Sequence, residues 1–175
     1  MEKQKRLNLV MEGGGTKGIG FIGAIEEFEE EGYEWVYLAG TSAGAIVATL
    51  MAVGYTGREL AFIMYDLDFK KVMDDAKAQK DFISITQAKG FLHKLLKAPQ
   101  IIRSIIRIYR NNGLFSGDYI ENYVKDLIEK KTGKKNYTFG DLKNKTGLKG
   151  PKLSLMVTDI TGKRLLVLPN DAGEL

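Results

Sequence analysis

The sequence predicts an α/β domain, because two short apolar runs are each followed by a glycine-rich turn and then by a helical pattern. Residues 7–11 form the first run and are followed by Gly13-Gly14-Gly15-Thr16-Lys17-Gly18. Residues 36–39 form the second run and are followed by Gly40-Thr41-Ser42-Ala43-Gly44. Short apolar runs bounded by turn residues are typical of buried strands, and longer ones are typical of helices. The 175 residues, 44% of them hydrophobic, suffice for one core, so a single domain over 1–175 is expected.

The first strand and its turn lead into a predicted helix over residues 19–31. Its apolar positions Ile22, Ile25 and Phe28 recur at helical spacing, which predicts that they face the core. The acids between them are expected in solvent: Glu26, Glu27, Glu29 and Glu30. The three consecutive glycines before this helix leave a row of backbone N–H groups unobstructed, and such a row binds anions.

The second turn has the Gly-x-Ser-x-Gly pattern between a strand and the helix predicted over 45–53. In that context the pattern predicts a nucleophile elbow, in which Gly40 and Gly44 let strand and helix pack closely around Ser42. The N–H of Ala43 would lie in the first turn of the helix, where partial positive charge favours an oxyanion. Ser42 is therefore the candidate catalytic residue.

Three chemistries could use the first glycine turn. A dinucleotide site requires an acid near the end of the second strand, where this chain has Gly40-Thr41-Ser42. A phosphate-binding P-loop requires Gly-Lys-Ser/Thr, whereas Lys17 is followed by Gly18. An oxyanion hole, worth ~3–4 kcal/mol per donor, uses both turns. Its candidate donors are the N–H groups of Gly13, Gly14, Gly15, Gly18 and Ala43.

The two turns together resemble the start of the patatin-like phospholipase family, and residues 157–162 and 165–169 more loosely resemble a later strand pair of that family. The resemblance implies a three-layer α/β/α fold with a mainly parallel sheet, and a serine lipid acyl hydrolase of the phospholipase A or lysophospholipase type. It also implies a Ser-Asp dyad, a phospholipid or other lipid ester as substrate, and no cofactor.

The catalytic base is the missing part of this resemblance. The family's aspartate lies in an Asp-Gly-Gly or Asp-Gly-Ala turn, and the chain contains neither tripeptide. Asp159 is interpreted as a structural acid at a strand end and Asp171 as an ordinary loop acid, and the single histidine, His93, is interpreted as a solvated residue in a basic segment. We therefore expect a truncated domain whose aspartate lies beyond residue 175, and expect the chain alone to be inactive. The alternative is a catalytically silent lipid- or protein-binding module of the same fold.

Composition favours an intracellular protein. The chain has no cysteine and one histidine, so disulfides are excluded and a metal site is not expected. Residues 1–6 carry no apolar signal core, and no run reaches transmembrane length. These features predict a cytoplasmic protein, peripheral at the membrane at most, with no nucleic acid partner.

A basic amphipathic helical segment is predicted over residues 84–112. It contains Lys89, Lys94, Lys97, Arg103, Arg107 and Arg110, with no acid among them, in a chain of formal net charge +4. Ser84 with Gln87 is expected to cap its first helix, and Pro99 to separate the first helix from the second. Two interpretations stay open: a solvated helix face, or a lid that contacts anionic headgroups at ~1 kcal/mol per basic residue.

Two further helices are predicted from their caps. Thr56 and Glu59 form a capping box before an apolar stretch, and Ser116 precedes a helix that Thr132-Gly133 ends. Four acids at 66, 68, 74 and 75 lack the spacing of a calcium loop and are expected in solvent.

Overall fold

A computed structural model of the chain describes residues 5–72, 80–81, 83–84, 98–111, 116–146 and 152–174. The chain divides into two compact units, Met1–Leu67 with Val124–Leu175, and Asp68–Tyr123. His93 and Gln87 lie outside the described residues, so the expectations for them stay predictions.

The first unit contains both strands and helices. It begins with β1 (Lys5–Met11), a 3-10 helix (Gly15–Gly18), α1 (Ile19–Glu30), β2 (Tyr33–Gly40), α2 (Ala43–Ala52) and α3 (Gly57–Asp66). The second unit contains α4 (Phe69–Val72) and α5 (Ala98–Asn111), and α6 (Asp118–Thr132) begins in the second unit and ends in the first. The first unit then continues with α7 (Phe139–Thr146), β3 (Lys152–Asp159), β4 (Arg164–Leu168) and a 3-10 helix (Ala172–Glu174). The strands and helices predicted around the two glycine turns are confirmed, with ends that differ from the predicted ones by up to three residues.

The four strands form one mixed sheet in the order β1-β2-β3-β4. The β1–β2 and β2–β3 pairs are parallel and the β3–β4 pair is antiparallel. Met11 lies beside Gly40, and Gly40 lies beside Leu155, so β1 and β2 end together at the same edge. The predicted α/β fold with a mainly parallel sheet is confirmed for the described strands.

The core lies on one face of this sheet. Met11, Leu38 and Leu153 point into it, together with Ile25 of α1 and Leu50 of α2. When parallel strands follow one another in order and their connections are right-handed, the connecting helices lie on the same face of the sheet. The core that α1 and α2 share agrees with this rule.

The opposite face of the sheet carries exposed apolar side chains. Val10, Tyr37 and Leu165 each precede a core-facing residue in their strand, and 75%, 45% and 65% of their surfaces are exposed. Successive side chains of a strand point to opposite faces, so these three residues belong to the face away from the core.

The helix caps predicted at Thr56, Ser116 and Gly133 are present. Thr56 Oγ1 accepts the N–H of Glu59 at 3.2 Å, and a Glu59 carboxylate oxygen accepts the N–H of Thr56 at 2.9 Å. Lys131 of α6 also donates to both Glu59 oxygens at 2.7 Å, which joins α3 to α6. Ser116 Oγ accepts the N–H of Asp118 at 3.3 Å, and Gly133 follows α6 with φ 72°.

Two expectations for α1 were wrong. Phe28 does not enter the core; it is 41% exposed and packs edge-on against Tyr33 and Trp35. Glu29 is half-buried rather than solvated, because its carboxylate accepts the indole N–H of Trp35 at 3.1 Å and the N–H of Gly57 at 2.8 Å. The helical spacing predicted which face of α1 is apolar, but it did not predict which residues pack against the edges of that face.

Candidate active site

Ser42 lies between the end of β2 and the start of α2 in a strained backbone conformation. Its φ is 51° and its ψ is −124°, a region that non-glycine residues rarely adopt and that costs about 1–3 kcal/mol. The residue is exposed, and its side chain makes no capping bond to α2. Strain of this kind persists where the surrounding structure imposes it, and here it presents the Ser42 hydroxyl to solvent.

The flanking glycines allow this turn to be tight. A Cβ on Gly40 would collide with the backbone of Gly44 and Ala45, and a Cβ on Gly44 would collide with the carbonyl of Met11. Both glycines are buried. The two positions have therefore no room for a side chain, as the elbow pattern predicts.

The first glycine turn lies directly beside Ser42. A Cβ built on Gly13 would be 2.8 Å from Ser42 Cβ and 3.5 Å from Ser42 Oγ. Thr41 donates its N–H to the carbonyl of Met11 at 3.2 Å, which continues the β1–β2 ladder up to the elbow. A Cβ on Gly18 would lie 3.4 Å from Ala43 Cβ, so both ends of the glycine turn contact the elbow.

The electrostatics of this edge favour negative charge. Ala43 is the first residue of α2, and N–H groups in the first turn of a helix have no acceptor within the helix. The helix dipole adds partial positive charge at this point. Gly15 has φ 58° and, because it has no side chain, its backbone is exposed. Lys17 is exposed in the same turn. The structure thus brings Gly13 and Gly18 of the first turn against Ser42 and Ala43 of the second, at one edge of the sheet.

The two acids considered as bases are both bonded within turns. The Asp159 carboxylate accepts the N–H of Gly162 at 2.9 Å and pairs with Arg164 at 3.1 Å, and these bonds lower its pKa below the usual range. Asp171 accepts the N–H of Val167 at 2.7 Å, closing the turn after β4. Register places Asp159 four residues beyond Leu155, the β3 residue beside Gly40, or about 13 Å along the strand at ~3.3 Å per residue. Both carboxylates are therefore engaged in local bonds.

An apolar cavity of about 90 Å³ lies beside the far half of α2, lined by Thr49, Val53, Leu153 and Leu155 together with residues of α6 and α7. Within the described residues, no cluster of three or more histidines or acids has metal-binding geometry. None of the described helices is both long enough and apolar enough to span a membrane.

Comparison with protein families matches residues 9–161 to the patatin-like phospholipase model. The chain is 36% identical over 162 residues to YqhO, an uncharacterized protein of Bacillus subtilis, and covers 46% of that protein. It is 24% identical over 159 residues to the uncharacterized protein R571 of Acanthamoeba polyphaga mimivirus, and covers 45% of it. The alignments include 93% and 89% of this chain. The chain therefore spans about half the length of the curated relatives it matches.

Solved structures share the fold. The complex of SpcU with ExoU from the type III secretion system of Pseudomonas aeruginosa matches with a TM-score of 0.57 at 21% identity, over 94% of this chain and 35% of that chain. VipD from Legionella pneumophila matches with a TM-score of 0.53 at 21% identity, over 98% of this chain and 40% of that chain. At this identity the likeness concerns the fold.

Proposed function

The chain belongs to the patatin-like phospholipase family, and from that premise we propose that it supplies the nucleophile and the oxyanion hole of a serine lipid acyl hydrolase. The observation that carries this proposal is the strained, exposed Ser42 held beside the glycine turn. Family membership supports hydrolysis of a lipid ester. The phospholipase A or lysophospholipase type of activity is part of the proposal.

In the first chemical step, Ser42 Oγ attacks the carbonyl carbon of the ester while an aspartate takes its proton. The carbonyl oxygen becomes an oxyanion, which the N–H of Ala43 and N–H groups of the glycine turn stabilise. Collapse of this intermediate breaks the bond to the alcohol, which leaves with the proton held by the aspartate. The acyl group remains esterified to Ser42.

In the second step, water attacks the acyl-Ser42 carbonyl and transfers its proton to the same aspartate. The second oxyanion forms in the same hole, and its collapse releases the fatty acid and returns the proton to Ser42. We propose that the aspartate lies outside these 175 residues, because Asp159 and Asp171 are bonded within turns. The chain's half-length match to its relatives supports this assignment.

Fluorophosphonate labelling tests the nucleophile. The full-length protein should be labelled at Ser42, and Ser42→Ala should abolish both labelling and lipid ester hydrolysis. Ser154→Ala is the matched control, since Ser154 lies half-buried on β3 and takes no part in the proposed site. Hydrolysis retained in Ser42→Ala would reject Ser42 as the nucleophile.

A pair of glycine variants tests the oxyanion turn. Gly13→Ala places a methyl group 2.8 Å from Ser42 Cβ, so it should reduce kcat by about a hundredfold or more, the effect of losing one oxyanion donor. Gly20→Ala on α1 has open space at its Cβ and should retain full activity. Equal activities for the two variants would contradict the proposed role of the turn.

The chain without an external aspartate provides a second test. Residues 1–175 alone should hydrolyse p-nitrophenyl esters little or not at all, because serine without a base is a weak nucleophile. Robust turnover that disappears in Asp171→Asn would show that Asp171 is the base. A full-length protein that neither hydrolyses lipid esters nor reacts with fluorophosphonate would instead be the silent binding module.

We also propose that the protein works in the cytoplasm and contacts anionic membranes peripherally. A phospholipid substrate lies in a bilayer, so an enzyme of this class must approach one. The excess of basic residues in 84–112 supports an approach to negatively charged lipid.

A further inference from the structure

The strand β3 continues past the end of β2. The last pair between the two strands joins Gly40 to Leu155, and β3 runs on to Asp159, about 13 Å further at ~3.3 Å per residue. The strand β4 pairs with this extension over its whole length. The extension and β4 therefore form a two-stranded ribbon that passes the edge of the sheet at which Ser42 is presented.

The register of the sheet places Val157 beside the elbow. Because Leu155 is opposite Gly40, Val157 is level with the position two residues after Gly40. That position is Ser42, where the chain leaves the sheet and enters α2. Neighbouring strands are ~4.8 Å apart, and the order β1-β2-β3 puts the glycine turn on one side of Ser42 and Val157 on the other.

The exposure of Val157 is on the side of the elbow. Alternate residues of β3 face the core side of the sheet, and they become more exposed toward the elbow: Leu153 is 8% exposed, Leu155 is half-buried and Val157 is 36% exposed. The cross-strand neighbour of Val157 on β4 is Leu166, which is only 1% exposed. Val157 is thus covered on the β4 side, and its exposed surface lies on the side where β2 has ended.

Two carboxylates hold the ribbon that carries Val157. The Asp159 carboxylate is bonded within the turn at the tip of the ribbon, and the Asp171 carboxylate accepts the N–H of Val167 at the other end of β4. A side chain on a strand that is bonded at both ends is placed more precisely than one on a loop. The two acids thereby have a structural role next to the proposed site.

The chemistry of Val157 suits an acyl chain. When Ser42 attacks an ester, the carbonyl oxygen points to the N–H groups of Ala43 and the glycine turn, so the acyl chain and the alcohol extend to other sides. The valine side chain offers apolar surface and neither a donor nor an acceptor of hydrogen bonds. Contact with an alkyl chain is therefore favoured over contact with a polar headgroup.

We propose that Val157 lines the acyl-chain site, so that the protein prefers esters of long-chain acids to acetate esters. This inference rests on the proposed function and names a residue that determines its substrate preference. Val157 takes no part in making or breaking bonds.

Hydrolysis of two soluble esters by the full-length protein tests the proposal. The value of kcat/KM is measured for p-nitrophenyl dodecanoate and for p-nitrophenyl acetate. Val157→Trp obstructs the acyl-chain site and should lower the ratio of the two values by about tenfold or more, the effect of losing one or two methylene contacts in an apolar site. The matched control is Leu165→Trp on the opposite face of the same ribbon, which should keep the wild-type ratio.

A second variant guards against misfolding. Val157→Thr places a hydroxyl where the valine has a methyl group, keeps the β-branched shape that suits a strand, and should lower the same ratio. Circular dichroism and thermal unfolding check each variant. An unchanged ratio in the folded Val157 variants would overturn the proposal, and so would an equal loss for both esters, which indicates a structural role alone.

The proposal can be tested even if the proposed function fails. A wild-type protein that hydrolyses neither ester refutes the proposed function, and calorimetric binding of dodecanoate to Ser42→Ala then tests the acyl-chain site by itself. Adding Val157→Trp to that variant should weaken the binding of dodecanoate about tenfold. Equal affinities in the two proteins, or no binding by either, would overturn the role of Val157.

Discussion

Replacing Ser42 by glycine should stabilise the protein while it abolishes the proposed chemistry. Ser42 has φ 51° and ψ −124°, where a Cβ atom is strained by about 1–3 kcal/mol. Glycine removes that strain but gives the unfolded chain more freedom, which costs about 0.4–1 kcal/mol. The difference predicts a gain of roughly 1 kcal/mol in the free energy of unfolding.

Ser42→Ala is the comparison that isolates the backbone. Alanine also lacks the hydroxyl but keeps the Cβ, so it should unfold within about 0.5 kcal/mol of the wild type. Urea denaturation of the three proteins measures the difference, and thermal unfolding should place the glycine variant about 2–4 °C above the alanine variant for a chain of this size. A glycine variant no more stable than the alanine variant would refute the claim that strain is stored at Ser42.

Three other predictions follow from contacts in the first unit. Gly44→Ala should destabilise the protein by about 3 kcal/mol or more and lower its urea midpoint, because the new Cβ collides with the carbonyl of Met11. Lys134 and the cap bonds lower the pKa of Asp141 to about 2, so the carboxylate stabilises the protein above pH ~4 and this contribution should disappear as pH falls toward 2; in Asp141→Asn this part of the acid unfolding curve should be absent. Tyr55→Phe should cost about 1 kcal/mol in thermal unfolding, because the Tyr55 hydroxyl donates to a backbone carbonyl of α6 at 2.9 Å.

The features that the sequence predicted best depend on a few neighbouring residues. The elbow around Ser42 requires small residues two positions away on either side, and both are in the pentapeptide. The capping box of Thr56 and Glu59 spans four residues and is present. Such features can be predicted because the hydrogen bonds and close contacts that define them join residues within about one turn of chain.

The features that the sequence missed join residues far apart in the chain. Glu29 bonds Gly57, 28 residues away, and Arg103 bonds Asp81, 22 residues away. Periodicity gives the face on which such a residue lies, but the identity of its neighbour depends on how helices pack. Glu29, a charged residue at the edge of an apolar face, is therefore a position where the prediction of solvation fails.

The edge of the sheet explains why the proposed site has Ser42 and the glycine turn in place but, among the described residues, no assigned base beside them. Ser42 and the glycine turn are held together by β1, β2 and the start of α2, through the Thr41 bond to Met11 and the close approach of Gly44 to the same strand end. Asp159 at the end of β3 and Asp171 after β4 are bonded within their own turns. The conformation of Ser42 thus depends on β1, β2 and the start of α2, and the proposed mechanism assigns its activation to a carboxylate other than these two.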